Sequence, residues 1–257
     1  MRDTPAGPAP AAPDPWVALR ALTPARIALG RAGASLPTAA HLDFQFAHAR
    51  ARDAVRDALD VARLLEALSD LGMGTIAVRS AAPDRATYLQ RPDLGRRLDP
   101  ESRAALVAAA GENGADAAFV VADGLSARAA QAHAPSVLAA LVTPLREAGW
   151  RLAPAVVALQ GRVALGDEIG ALLRARLVVV LLGERPGLSA PDSLGAYLTW
   201  DPRPGRTDAE RNCVSNIRPE GLVAATAADR IRHLMLEAAR RRLSGVALKD
   251  DRGLLGA

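Results

Sequence analysis

Leu177-Val178-Val179-Val180-Leu181-Leu182 is apolar at every position, so neither face of this run suits water. A strand of that kind fits the middle of a parallel sheet covered by helices on both sides. Two strand-like runs precede it, Ala117 to Ala122 and Leu152 to Leu159. Helix-like segments separate the three: Ser126 to Gly149, with a proline interruption at Pro135, and Asp167 to Ala175. The order reads βαβαβ, an α/β fold. Ligands in such sheets sit beyond the carboxyl ends of the strands. The turns to watch are therefore Asp123-Gly124-Leu125-Ser126, Gln160-Gly161-Arg162-Val163 and Gly183-Glu184-Arg185-Pro186-Gly187, which are expected to converge on one edge.

Upstream, helical spacing of Leu42, Phe46, Val55, Leu59, Leu64, Leu65 and Leu68 predicts one long amphipathic helix from His41 to Leu71, stopped by Gly72. Thr75 to Arg79 reads as a short strand, and Pro83, Pro92 and Gly95 mark a loop. Asp99-Pro100-Glu101 combines an N-cap, a first-turn proline and an acidic residue, and predicts a helix to about Asn113. Residues 1–15 alternate Pro, Ala and Gly and read as a mobile tail, Trp16 is the first anchor, and Thr23 to Thr38 reads as an extended arm. Downstream, the roughly 37 residues from Gly183 to Pro219 read as a long loop, taken as a lid or an interface, before a final helix from about Ala224 to Leu243. The expected divisions are a tail over 1–22, a mainly helical arm and subdomain over 23–115, and the sheet domain over 116–257.

The 257 residues are 50% hydrophobic and 23% charged, a globular composition. The pI near 10.1 invites a nucleic-acid reading. However, 31 of the 32 basic residues are arginines interspersed with acids, Lys249 being the exception, and aromatics make up only 3%, too few for base-stacking platforms. No apolar run approaches the ~18–20 residues that cross a bilayer, and the start lacks a signal sequence, so the expectation is cytoplasmic, with no membrane and no nucleic acid as partner. Cys213 is the only cysteine, which excludes an internal disulfide and a thiolate zinc site.

Isolated motifs carry little. Gly72-Met73-Gly74-Thr75-Ile76-Ala77 has dinucleotide-fingerprint spacing but lies between a helix and a strand, the reverse of the required order. Gly161 to Gly166 has phosphate-loop spacing, with Asp167 where a lysine is needed. Gly124-Leu125-Ser126-Ala127-Arg128 is like a nucleophile elbow, with Asp192 or Asp208 and then His233 in hydrolase order, although Arg128 stands where a glycine closes the elbow. This sustains one alternative, a stand-alone α/β serine hydrolase using Ser126. His41, His48, His133 and His233 lack ligand spacing, no metal site is expected, and the Asp-x-His-x-x-Gly motif of one cobalamin-binding class is missing.

Taken together, GRAGASLPT (30–38), VADGLSARA (121–129), GRVALGDEIG (161–170), VVVLLGERPGLSAPDSLGAY (178–197) and ERNCVSNIRPEG (210–221) make the chain resemble the small subunit of ethanolamine ammonia-lyase from Thr23 onward. The resemblance implies a Rossmann-like sheet with helical additions. It implies a lyase that converts ethanolamine to acetaldehyde and ammonia with adenosylcobalamin, through radicals begun by cobalt–carbon homolysis. The implied assembly is six heterodimers with a large subunit, which holds ethanolamine and the chemistry, while the small subunit covers the coenzyme at the interface. Some family members sit in protein-shelled microcompartments.

Three cofactor-binding positions carry over by motif: Val163 of GRV, Glu184 of GERPG and Cys213 of NCVSN. The resemblance assigns no catalytic residue and no metal ligand to this chain, because the coenzyme keeps its own base on cobalt, in keeping with the missing histidine motif. Arg162, Arg185 and Asn216 flank these positions, facing either the nucleotide tail or the large subunit. A third reading makes the chain a scaffold that only solubilises the large subunit.

Overall fold

The computed structural model describes residue 14 and residues 16–250. The tail expected over 1–15 thus lies outside the described residues except for Asp14. The chain divides into two units, one of residues up to Asp53 with Gly187–Pro191, the other of Ala54–Pro186 and Asp192 onward.

In the first unit a 3-10 turn, Val17–Leu22, buries none of its residues, and Trp16 is 62% exposed instead of anchored. Arg20 ties this turn to the following extended segment by donating to the carbonyls of Ile27, at 3.0 Å, and Ala28. The expected arm therefore holds as far as helix α1 (Thr38–Arg56).

The single helix expected from His41 to Leu71 is two, α1 and α2 (Val61–Ser69). Asp60 caps α2 by accepting from Arg63 N at 3.1 Å, and Asp57 pairs with Arg128 at 3.0 Å. An aspartate that accepts from a nearby backbone amide competes with helix continuation, so the break falls just before Asp60. Ala54, Leu64 and Leu68 are buried, whereas Leu42 and Phe46 are exposed.

The second unit is built on a six-stranded sheet in the order β1-β3-β2-β4-β5-β6. Its strands are β1 (Thr75–Arg79), β2 (Ala115–Ala122), β3 (Ala155–Leu159), β4 (Ala175–Gly183), β5 (Leu194–Trp200) and β6 (Arg211–Ile217). The first four are parallel, and β5 and β6 are antiparallel additions. The sheet takes its edge strand from residues upstream of 116. The connecting helices are α3 (Arg85–Gln90), α4 (Pro100–Ala109), α5 (Ala127–Glu147) and α6 (Leu165–Leu172), with α7 (Ala224–Arg241) closing the chain. Helix α3 falls inside the segment read as a loop, and α4 ends before Asn113, at Ala109. Its cap is as expected, Asp99 Oδ1 accepting from Ser102 N at 2.7 Å.

β4 is buried along its length except Arg176, the behaviour its two apolar faces demand. Val179 and Leu181 join Phe119, Val121, Leu138, Leu141, Ile231 and Met235 under α5 and α7. Val178 and Val180 join Val120, Leu106 and Ile169 under α4 and α6. Each such side chain contributes about 1.5–3 kcal/mol by leaving water. That sum keeps α5 continuous through Pro135 and Pro144, each of which removes one helical hydrogen bond at a cost of about 3 kcal/mol.

The stretch from Gly183 to Pro219 is not a loop. Leu194, Ala196 and Leu198 alternate into the α5–α7 core, and β5 is an antiparallel strand of which only Tyr197 and Trp200 are not buried. Pro186, Pro191, Pro202 and Pro204, with Asp192, Asp201 and Asp208, occupy the connections on either side of β5.

Candidate functional site

The carboxyl ends of β2, β3 and β4 are level, with Ala122 beside both Ala158 and Leu182. The three turns beyond them are joined by hydrogen bonds. Asp123 accepts from Gln160 N at 3.0 Å and Gly161 N at 3.1 Å, and Leu125 N donates to Gly183 O at 2.9 Å. That last contact requires glycines: Gly124 has φ +54°, and a Cβ on either Gly124 or Gly183 would overlap backbone of the other turn. The convergence expected from the sequence is therefore present.

Helix α3 braces this edge. Arg85 Nη1 donates to Gly124 O at 2.8 Å and approaches Asp123 Oδ2 at 3.4 Å. The guanidinium groups of Arg85 and Arg162 both lie over the Tyr88 ring, at 4.9 and 4.3 Å from its centroid, and its hydroxyl donates to Gly161 O at 3.0 Å. Burial pushes the Tyr88 phenol up to about 12, so it remains a donor. Burial also raises the Asp123 carboxyl, against the opposing pull of Gln160 N and Arg85.

Val163 follows this braced turn and lines a cleft of about 480 Å³ with Arg96, Arg162, Leu182, Arg206 and Arg211. Glu184 follows β4, and its carboxylate accepts from Ser193 Oγ at 2.6 Å. Cys213 lies exposed on β6 opposite Tyr197 of β5, which itself lies opposite Val180 of β4. Opposed residues share a face, so Tyr197 and Cys213 stand on the α6 side of the sheet, the side against which Val163 also packs. A Cβ on Gly195 would come within 2.6 Å of Glu184 Oε1 and 3.0 Å of Tyr197 Cε2, which puts the carboxylate over β5 on that same face. Desolvation raises the Cys213 thiol, Tyr197 opposes the rise and the Glu184 charge adds to it. Tyr197 is likewise raised, by burial first and then by the charges of Cys213 and Glu184. The three positions carried over by motif thus share one face of the sheet, beside the α6 edge.

The profile of the family described as "Ethanolamine ammonia-lyase light chain (EutC)" matches residues 13–249. Proteins named "Ethanolamine ammonia-lyase small subunit" are similar over nearly the whole chain. The one from Azotobacter vinelandii is 61% identical over 94% of this chain and 90% of its own length. That of Xanthomonas campestris pv. campestris is 59% identical over 95% and 91%, and that of Pseudomonas putida 58% identical over 94% and 90%. The chain belongs to the ethanolamine ammonia-lyase small-subunit family.

In this small subunit the elbow-like serine has a structural task. Ser126 is fully buried at the start of α5, where its hydroxyl accepts from Ala129 N at 3.3 Å, the geometry of a helix N-cap. His233 on α7 lies 3.9 Å from Asp250. Asp167, at the phosphate-loop lysine position, is consumed by Arg211: two hydrogen bonds of 2.6 and 2.7 Å join them.

Ser193, Gly195, Tyr197 and Arg211 are not singled out by the sequence, because the prolines and aspartates around β5 and β6 give the segment the composition of a loop. The signal was available. Ser193, Gly195, Tyr197 and Thr199 alternate with Leu194, Ala196 and Leu198, the period of a strand with one apolar face.

Proposed function

We propose that this chain binds adenosylcobalamin at its interface with the large subunit of ethanolamine ammonia-lyase, completing an enzyme that converts ethanolamine to acetaldehyde and ammonia. The observation that carries the reading is the common face of Val163, Glu184 and Cys213, three residues up to 50 positions apart in the chain. Those residues fit a corrinoid. Glu184 Oε1 has no hydrogen-bond partner among the described residues and is an acceptor for the amide N–H or ribose hydroxyl donors at the coenzyme's rim. Val163 supplies an apolar contact and Cys213 a small polarizable one. Of the arginines of the neighbouring cleft, Arg206 and Arg211 are engaged by carboxylates, and Arg96 and Arg162 suit a phosphodiester.

Bound coenzyme would supply radical chemistry. The part of this chain is to hold one side of the coenzyme, fix its distance from substrate on the large subunit and keep water from the interface. It provides no acid, base or nucleophile. Trp16, Leu22, Leu42 and Phe46, each more than half exposed, offer apolar surface of the kind a partner subunit covers. An assembly of six heterodimers and a place in a protein-shelled microcompartment belong to the same reading.

The test is ethanolamine-dependent acetaldehyde release with adenosylcobalamin, using this chain alone, the large subunit alone and the mixture. Activity only in the mixture supports the reading, and full activity of the large subunit alone overturns it. Glu184→Ala separates coenzyme contact from scaffolding: contact requires a raised coenzyme demand, whereas a scaffold leaves it unchanged.

A further inference from the structure

Ser193 grips Glu184 twice. Its hydroxyl donates to Glu184 Oε2 at 2.6 Å, and its carbonyl accepts from Glu184 N at 2.9 Å. Ser193 is 6% exposed, so this hydrogen bond is shielded from competing water, and a hydroxyl donating to a carboxylate makes one of the stronger kinds. Among the described residues only Oε2 is engaged. Oε1 lies over Gly195, in the volume a side chain there would contest.

Gly195 is in extended backbone opposite Leu182 of β4, and on its other edge the pairing with β6 shifts register between Leu194 and Ala196. Glycine weakens a strand interior and marks an irregular ladder or a close approach by another group, and both are found at Gly195. The groups approaching here are the Glu184 carboxylate, at 2.6 Å from a Cβ on Gly195, and the edge of the Tyr197 ring, at 3.0 Å.

We propose that Ser193 and Gly195 are positioning residues for Glu184. Ser193 fixes one carboxylate oxygen, and Gly195 leaves the hollow in which the other settles as an acceptor for an amide or hydroxyl of the coenzyme. This rests on the reading of Glu184 as a coenzyme contact. A glutamate free to rotate would lose side-chain entropy on binding, and the fixed one has already lost it.

The test uses the reconstituted complex of large subunit and this chain, with cyanocobalamin binding measured by equilibrium dialysis and adenosylcobalamin dependence measured by turnover. Ser193→Ala frees the carboxylate, and Gly195→Ala pushes it aside while leaving Ser193 in place, so the second variant decides if the first fails to assemble. Each is expected to raise the cyanocobalamin Kd about tenfold, on the order of one hydrogen bond to a charged group, and to raise the coenzyme KM with kcat at saturation retained. The double variant Ser193→Ala with Glu184→Ala should bind no worse than Glu184→Ala alone, because Ser193 acts through Glu184. Normal binding by Ser193→Ala and Gly195→Ala, with weakened binding by Glu184→Ala, overturns the inference and leaves the coenzyme contact standing. Additive losses in the double variant also overturn it. Normal binding by Glu184→Ala overturns the contact itself.

Discussion

Asp167 on α6 and Arg211 on β6, 44 residues apart, form a two-pronged buried pair, Nη1 to Oδ1 at 2.6 Å and Nη2 to Oδ2 at 2.7 Å. Arg211 also donates to Thr199 Oγ1 at 2.9 Å and to Arg206 O at 2.9 Å. The pair ties the helix that follows Val163 to the strand that carries Cys213, and so holds two elements of the candidate site in register.

Removing one partner of such a pair leaves a buried charge without compensation. Asp167→Ala is expected to cost about 3–5 kcal/mol, read from denaturant unfolding followed by circular dichroism. Replacing both by apolar residues, Asp167→Leu with Arg211→Met, should recover most of that loss. Equal destabilisation by the single and double variants would show that the pair itself, and not the orphaned arginine, carries the stability.

Cys213 is the only thiol, so total alkylation of the chain reports on it alone. Because its thiol is raised, less thiolate is present at pH 8 than for a free cysteine, and iodoacetamide should react slowly there and accelerate as pH rises past the ordinary thiol range. Glu184→Gln removes a charge that raises the thiol and should speed the reaction at pH 8, whereas Tyr197→Phe removes an opposing influence and should slow it. Mass-spectrometric labelling rates between pH 7 and pH 10 decide it, and no response to Glu184→Gln would separate the two side chains.

Ser126→Ala deletes the cap of α5. The expected result is about 1 kcal/mol less stability, with ethanolamine turnover of the reconstituted enzyme unchanged at saturating coenzyme. A serine nucleophile would instead lose activity by orders of magnitude, which an esterase assay on the chain would detect.

Much of the site was legible before the fold. The turns after the three parallel strands were located from apolar runs and their boundaries, because a strand buried on both faces writes its burial into every residue. Val163, Glu184 and Cys213 came from motif resemblance, which gives positions without a geometry. Ser193 and Gly195 stay hidden because short polar residues beside prolines read as loop, and only pairing of Leu194–Trp200 with β4 sets Gly195 inside a strand and Ser193 just before it.

The sequence by itself determined the parallel βαβαβ core, the Asp99 cap and the family. Each depends on residues close together in the chain, or on motifs read in order. Tertiary structure alone decided the antiparallel addition of β5 and β6, the pairing of Asp167 with Arg211, and the placing of residues 163, 184 and 213 on the same side of the sheet. The physical reason is register: a shift of one residue in β5 or β6 would turn Tyr197 and Cys213 to the opposite face. That register is set by the packing of Leu194, Ala196, Leu198 and Val214 against α5 and α7, partners that adjacent residues cannot name.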